Sequence, residues 1–406
     1  GGRKDMMSDP NFMPNLNRRV ADGAYLEVRT NPLTMTAMCV KEMATGVPSR
    51  PNEALQNFHP QHPGSVDGFN LATTYDGDGN GEPDNHVGVI GDYVWEHLIF
   101  DREKAPFYEA RYGHADYYRG DEEGFEELKR WARGAPPEGH SIPRNLIVAH
   151  LSGLDSVGHR YGALDSPEYE EKLRWIDTNL EEVFQELPDD WTVVVTSDHG
   201  LTDSGQHGSD LDVLRDVAAF MWGPNVKEGA VVKGVQQRDL ATLPSVLFSL
   251  PLPHAVHGRI PLDAFDISEA KRQQLNQWNW DAAVARNDWL IEEGHPHIEG
   301  LTSEKIEWER LNVDEIGLRT SDFVLSALAV LSISGVLIYA LRELKQSKKV
   351  IFWSTISFVT TAVLSMTLSY NRDTLALFYY PVGLWLPVGI FVGGLLILQH
   401  EKWKHH

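Results

Sequence analysis

The chain has 406 residues, with 58 Asp+Glu against 36 Lys+Arg and a formal net charge of −22. That length exceeds one minimal domain and suits a large α/β domain with an appendage. The acidic balance argues against a nucleic-acid binder, which needs a basic face for the phosphate backbone, and the single cysteine, Cys39, excludes a disulfide framework and a cysteine-based zinc site.

In chain order, the start Gly1-Gly2-Arg3-Lys4-Asp5 carries neither a methionine nor the apolar strand with which a parallel α/β sheet usually begins. A missing export signal or anchor and a missing first strand are therefore expected before Gly1. A helix is predicted over residues 14–24, closed by Gly23, and a second over 37–45, ending at Gly46. A short strand is expected over 86–90, before Gly91-Asp92, and another over 145–150. Residues 166–186 have strong helical amphipathicity, and 191–196 form a continuous β-branched run of the kind found in a doubly covered parallel strand. Residues 212–222 read as helix or strand, and 239–249 as helix. Strands alternating with helices predict an α/β sandwich with a mainly parallel sheet over residues 1–265. Residues 266–321, polar and Trp-rich, read as a helical connector. There Trp278, Trp280 and Trp289 serve helix packing or interface anchoring.

The tail has a different character. Residues 322–406 hold only 7 Lys+Arg and 4 Asp+Glu, and contain three uncharged stretches, 323–341, 350–371 and 374–399. Each meets the roughly 18–20 residues needed to cross a hydrocarbon core of about 30 Å. A three-helix transmembrane domain is predicted. Arg342, Lys345, Lys348 and Lys349 in the first loop and Lys402 and Lys404 after the third span place that loop and the C-terminus in the cytoplasm. The body before Asp322 is then extracytoplasmic.

Chemistry-bearing residues gather after two predicted strands. One runs into Ser152-Gly153-Leu154-Asp155 and on to His159; the other runs into Ser197-Asp198-His199, with His207 eight residues further on. In α/β sheets, sites collect at the carboxyl ends of strands. Five imidazole and carboxylate groups exceed one tetrahedral site and suit two divalent metals, zinc or manganese, able to clamp a phosphoryl group. The alternative is loop caps and surface histidines. A threonine of the segment Asn31-Pro32-Leu33-Thr34-Met35-Thr36, before a helix, could act as a nucleophile, since a helix N-terminus favours an anion; it could equally be an ordinary N-cap.

Together these segments resemble the alkaline phosphatase superfamily, most closely its GPI ethanolamine phosphate transferase branch. The resemblance rests on Thr34-x-Thr36, on Gly91-Asp92-x-x-Trp95, on Leu154-Asp155-x-x-Gly158-His159, on the run from Asp198-His199-Gly200 to His207-Gly208, and on a weaker echo from Asp239-Leu240 to Leu250-Pro251-Leu252-Pro253. It implies that Asp155, His159 and His207 hold one zinc and Asp198 and His199 the other, with Thr36 as bridging nucleophile and Thr34 as the fallback. It further implies an aspartate immediately before Gly1 as a ligand of the second metal. The implied activity is transfer of a phospholipid head group, through a phospho-threonine, to a lipid-linked or glycolipid acceptor. The rival is a hydrolase of the same superfamily, a phosphodiesterase or phosphatase; a non-catalytic membrane scaffold is the rival of another class.

Weaker signals remain. Asp76, Asp78, Asn80 and Asp84 alternate as in a calcium loop, although Val87 stands where a bidentate Glu is expected, so the run reads as a calcium site or an acidic turn. His254, His257, His114 and Asp116 are loop residues with a marginal claim to metal or substrate, and Cys39 reads as a small buried hydrophobe.

Overall fold

The computed structural model describes residues 1–49, 76, 79, 83–98, 105–110, 117–253, 255–294 and 297–311. The predicted membrane spans lie outside the described residues, as do Asp78, Asn80, His114, Asp116 and His254. Among the described residues no helix is long and apolar enough to cross a membrane. Residues Gly1–Val313 form one compact unit.

The elements in order are α1 (Lys4–Met7), α2 (Pro14–Arg18), β1 (Gly23–Arg29), α3 (Thr36–Thr45), β2 (Val87–Gly91), α4 (Val94–Leu98), β3 (Phe107–Glu109), α5 (Arg119–Ala132), β4 (Leu146–His150), α6 (Gly153–Tyr161), α7 (Pro167–Glu186), β5 (Val193–Thr196), α8 (Asp212–Arg215), β6 (Asp216–Trp222), β7 (Ala230–Gln236), α9 (Leu243–Leu247) and α10 (Glu269–Glu292). Among the described residues the architecture is α/β, with two sheets of different kinds. The order β3-β2-β4 is wholly parallel, whereas β5-β6-β1-β7 is mixed. There β6 runs antiparallel to both β5 and β1, and β1 is parallel to β7.

Period-two burial explains the mixed sheet. Leu26 and Val28 of β1 join Val217, Ala219 and Met221 of β6 in a core on one face. Ala218 and Phe220 face the other way, onto Met13, Leu16, Tyr169 and Leu173 from the α2 and α7 side. Ser166 caps α7 by accepting from Tyr169 N, and Ser268 caps α10 by accepting from Lys271 N. Leu275 of α10 enters the first core, and Asn279 accepts from Ile260 N and donates to Gly258 O. Trp280 is fully buried edge-on to Trp308 and donates to Thr302 O, while Trp289 is exposed.

Several expectations are corrected. The helix predicted over 14–24 stops at Arg18, and Gly23 opens β1 instead of capping a helix; a Cβ there would lie 2.2 Å from Met221 O on the neighbouring strand. The run at 191–196 is covered on both faces, Val194 packing on one core and Val195 on the other, but it is not parallel: among the described residues β5 pairs only with β6, antiparallel. Residues 212–222 divide into a single helical turn and a strand. The helix predicted over 239–249 splits into a 3₁₀ segment, Gln237–Thr242, and α9, because Pro244 can occupy only a first turn.

His257 gives this part of the fold a pH dependence. Its backbone N–H donates to Gly46 O, and burial beside Arg286 and Arg238 pushes its imidazole down to about 3. The neutral form is favoured in the fold, while the unfolded chain takes up a proton below about pH 6.5. Stability carried by His257 is therefore present above that pH and lost as pH falls toward 3, at about 1.4 kcal/mol per pH unit. Urea midpoints measured at pH 7 and pH 5 should fall further for the native chain than for His257→Gln. Equal falls would remove His257 as the cause.

Candidate active site

Three chain segments converge beside the carboxyl ends of β4 and β5. After β4, α6 carries Asp155 and His159 one turn apart on one face, with His159 Nε2 3.2 Å from Asp155 Oδ2. After β5, Ser197 leads into Asp198 and His199, both buried. The loop beyond brings His207 back onto α3's approach: His207 Nδ1 donates to Thr34 O at 2.8 Å, Gly208 N donates to Thr34 Oγ1 at 2.9 Å, and that hydroxyl donates to Ser209 O at 2.8 Å. Thr34 is thus a latch holding the His207 loop. Thr36 begins α3, and its Oγ1 lies 3.3 Å from His199 Nε2. Gly1 enters the same cluster, its backbone nitrogen donating to Ser197 Oγ and, at 2.9 Å, to Asp198 Oδ1.

The loop depends on a glycine. Gly205 has φ of 77°, and a Cβ there would lie 1.8 Å from Gly158 O of α6. Gly205→Ala should push the His207 loop off α6. We expect metal affinity to fall at least tenfold, consistent with the loss of a correctly held ligand, when zinc binding is followed with a competing chelator. Unchanged affinity would show that the loop tolerates the shift.

All six residues expected from sequence, Asp155, His159, Asp198, His199, His207 and Thr36, are thereby brought into one neighbourhood. The tightest trio combines members of both expected metal sets: one ligand atom each of Asp155, His199 and His207 lies within 4.8 Å of the others. His199 and His207 stack at 4.0 Å between ring centroids. His199 Nδ1 faces Gly200 O at 3.0 Å and His207 Nδ1 faces Thr34 O. A carbonyl can only accept, so each Nδ1 carries the proton and each Nε2 keeps its lone pair for the shared space. Burial lowers His199 to about 3 and also lowers His207, keeping both neutral. For Asp155, burial opposes ionisation, but His207 and the hydrogen bond from His159 hold the carboxyl well below its usual range. Asp198 is likewise held low against the opposing effect of burial. Asp155 Oδ1 is buried with no hydrogen-bond partner. Neutral His199 and His207, ionised carboxylates and an orphaned buried oxygen are the state that divalent-metal ligation requires, so this donor set fits a metal.

The residues that support the site belong to no motif of the sequence. Asp121 of α5 accepts from Gly153 N, fixing the start of α6, and lies 2.8 Å from Lys172 of α7. Lys172 is fully buried, with its ammonium over the Tyr118 and Trp175 rings. On an amphipathic helix such a lysine reads as a solvated charge, and no local signal distinguishes it. His150 is the last residue of β4. A cavity of about 240 Å³ is lined by Thr36, Asp92, His150, Asp155 and Asp198, and by apolar side chains of α5, α7 and β5. Of the calcium-like run, Asp76 accepts from Gly79 N.

Residues 83–251 match the family model of type I phosphodiesterases / nucleotide pyrophosphatases. Over that region the chain is thus similar to phosphoester-acting enzymes. Its relatives include GPI ethanolamine phosphate transferases. It is 26% identical over 183 residues to the catalytic subunit of GPI ethanolamine phosphate transferase 3 of Mus musculus, covering 44% of this chain and 16% of that protein. It is 30% identical over 166 residues to GPI ethanolamine phosphate transferase 1 of Schizosaccharomyces pombe, covering 34% and 18%. The chain therefore spans less than a fifth of the length of these curated relatives. Among solved structures, murine ectonucleotide pyrophosphatase / phosphodiesterase 5 is similar at 14% identity and a TM-score of 0.43, over 62% of this chain and 94% of that one.

Proposed function

We propose that the protein is a metal-dependent phosphoethanolamine-type transferase that moves a phospholipid head group onto a lipid-linked acceptor through Thr36. The observation that carries the proposal is the position of the Thr36 hydroxyl: it opens α3 and lies 3.3 Å from His199 Nε2, beside the trio of Asp155, His199 and His207. Thr34 is a poor nucleophile by comparison, because its hydroxyl is engaged by Gly208 N and Ser209 O.

Two divalent metals, zinc or manganese, held by Asp155, His159, His207, Asp198 and His199 would lower the pKa of the Thr36 hydroxyl and neutralise charge on the phosphoryl oxygens. In the first step Thr36 Oγ forms a bond to phosphorus, the bond from phosphorus to the diacylglycerol oxygen breaks, and that oxygen takes a proton. In the second, an acceptor hydroxyl loses its proton and bonds to phosphorus, and Thr36 leaves as its hydroxyl. The N-terminus of α3 favours the anionic group held at Thr36. The proposal includes residues 322–406 as a membrane anchor with a cytoplasmic C-terminus and an extracytoplasmic site; the three uncharged stretches and the basic first loop support it. Extraction by detergent but not by alkaline carbonate tests that anchor.

The chemical test is a peptide map. Zinc-loaded protein is incubated with phosphatidylethanolamine and no acceptor. An aminoethyl-phosphate adduct on the Thr36 peptide, absent in Thr36→Ala, supports the transferase. The match to a phosphodiesterase family model favours a second reading, a hydrolase in which water replaces the acceptor. Free phosphoethanolamine accumulating steadily without acceptor would put that reading first, and an unmodified peptide with no released product would remove both.

A further inference from the structure

We propose that His150 is a phosphoryl-binding residue of this site, a fixed hydrogen-bond donor to an anionic phosphoester oxygen and not a metal ligand; the inference rests on the phosphoester-transfer reading above. His150 ends β4, where its carbonyl accepts from Asp92 N at 3.0 Å. That close approach needs Gly91, whose φ is 112° and whose added Cβ would lie 2.0 Å from His150 O. The register of β2 and β4 thus fixes the His150 backbone beside Asp92 and Trp95.

The ring is fixed by a second contact. Trp95, 3% exposed, brings its indole Nε1 to 3.0 Å from His150 Nδ1. An indole N–H can only donate, so His150 Nδ1 accepts and, in the neutral ring, Nε2 carries the proton. This is the opposite arrangement to His199 and His207, whose Nδ1 atoms face carbonyl oxygens. The same side chain is sorted into two roles by its partner. Where Nδ1 meets a carbonyl, Nε2 offers a lone pair and can bind metal. Where Nδ1 meets an indole, Nε2 offers a proton and cannot bind metal in that form.

That proton is directed toward the site. His150 lines the same cavity as Thr36, Asp155 and Asp198. Its Nε2 is 4.0 Å from Asp198 Oδ2, beyond hydrogen-bond reach. A donor at this place suits a non-bridging oxygen of a phosphoryl group attached to or approaching Thr36. A pre-oriented donor of this kind acts most strongly in a partly buried site, where little reorganisation is needed.

The test combines two readouts. Long-range proton–nitrogen NMR of the ring nitrogens should show His150 as the Nε2–H form and His199 and His207 as the Nδ1–H form. His150 in the Nδ1–H form would overturn the proposal. Inorganic phosphate is then titrated into zinc-loaded native protein, His150→Ala and His150→Gln. Phosphate affinity should fall roughly tenfold to a hundredfold in His150→Ala, with zinc stoichiometry unchanged, and recover largely in His150→Gln, whose amide supplies a donor. Lost zinc in His150→Ala would make His150 a ligand and overturn the role, and so would equal or absent phosphate binding in native protein and variant. If phosphate binding depends on His150 while no phosphodiester is turned over, the transferase reading fails and the donor role stands.

Discussion

Thr36→Ala should lower phosphodiester turnover by about three orders of magnitude or more, the scale expected when a covalent nucleophile is removed. Zinc stoichiometry should be nearly unchanged, because the hydroxyl adds only one contact to a cluster built from two carboxylates and three imidazoles. Thr36→Ser should keep much of the rate, since it retains an oxygen at the start of α3, 3.3 Å from His199 in the native chain. Thr34→Ala should behave differently. The Thr34 hydroxyl ties Gly208 N to Ser209 O, so its loss should weaken metal binding at His207 before it affects chemistry. Turnover and metal content measured together on the three variants separate these roles. Full turnover in Thr36→Ala would end the nucleophile assignment.

Lys172→Met should destabilise the fold by about 3–5 kcal/mol, the usual consequence of leaving one member of a buried ion pair alone. Both partners are nearly inaccessible, with Lys172 0% and Asp121 2% exposed. Burial raises the Asp121 carboxyl above its ordinary value, even with Lys172 opposing the shift. Desolvation therefore exceeds the attraction at Asp121, and the pair is costly to hold. It follows that Lys172→Met combined with Asp121→Asn should lose clearly less than the sum of the single changes. The neutral amide can still accept from Gly153 N, and a thioether packs well between Tyr118 and Trp175. Urea denaturation of the two singles and the double gives the coupling directly. Strictly additive losses would show that the two groups do not act as a pair. Because Asp121 also holds the first turn of α6, Asp121→Ala should weaken zinc binding through Asp155 and His159 as well.

How much of this was legible beforehand differs from element to element. The α3 helix ending at Gly46 could be read because a glycine in the left-handed region closes it, with φ of 71°. The β2 and β4 strands could be read from continuous apolar runs, and α7 from its period and its Ser166-Pro167 start. β1 could not: residues 14–24 carry Pro14 at a first turn and Gly23 at what looks like a cap, and only the close approach of Met221 O shows why Gly23 is a strand residue. The antiparallel pairing of β5 was equally hidden, since a β-branched run has the same composition in either direction.

The candidate site divides along the same line. Ligand types and their placement after strands were set by local order, because Asp155 and His159 one helical turn apart and Asp198-His199 after a strand are short-range facts. Which atoms face inward was decided by the tertiary structure. Thr34 O turns His207 into a lone-pair donor, Gly200 O does the same for His199, and Trp95 makes His150 a proton donor. Asp121 and Lys172, 51 positions apart in the chain and in contact only through the packing of α5 on α7, carry no sequence signature at all. Residue type and spacing specify what a side chain can do. The choice among a histidine's tautomers or a lysine's burial belongs to partners brought from distant parts of the chain, and those are known only once the sheets and helices are packed.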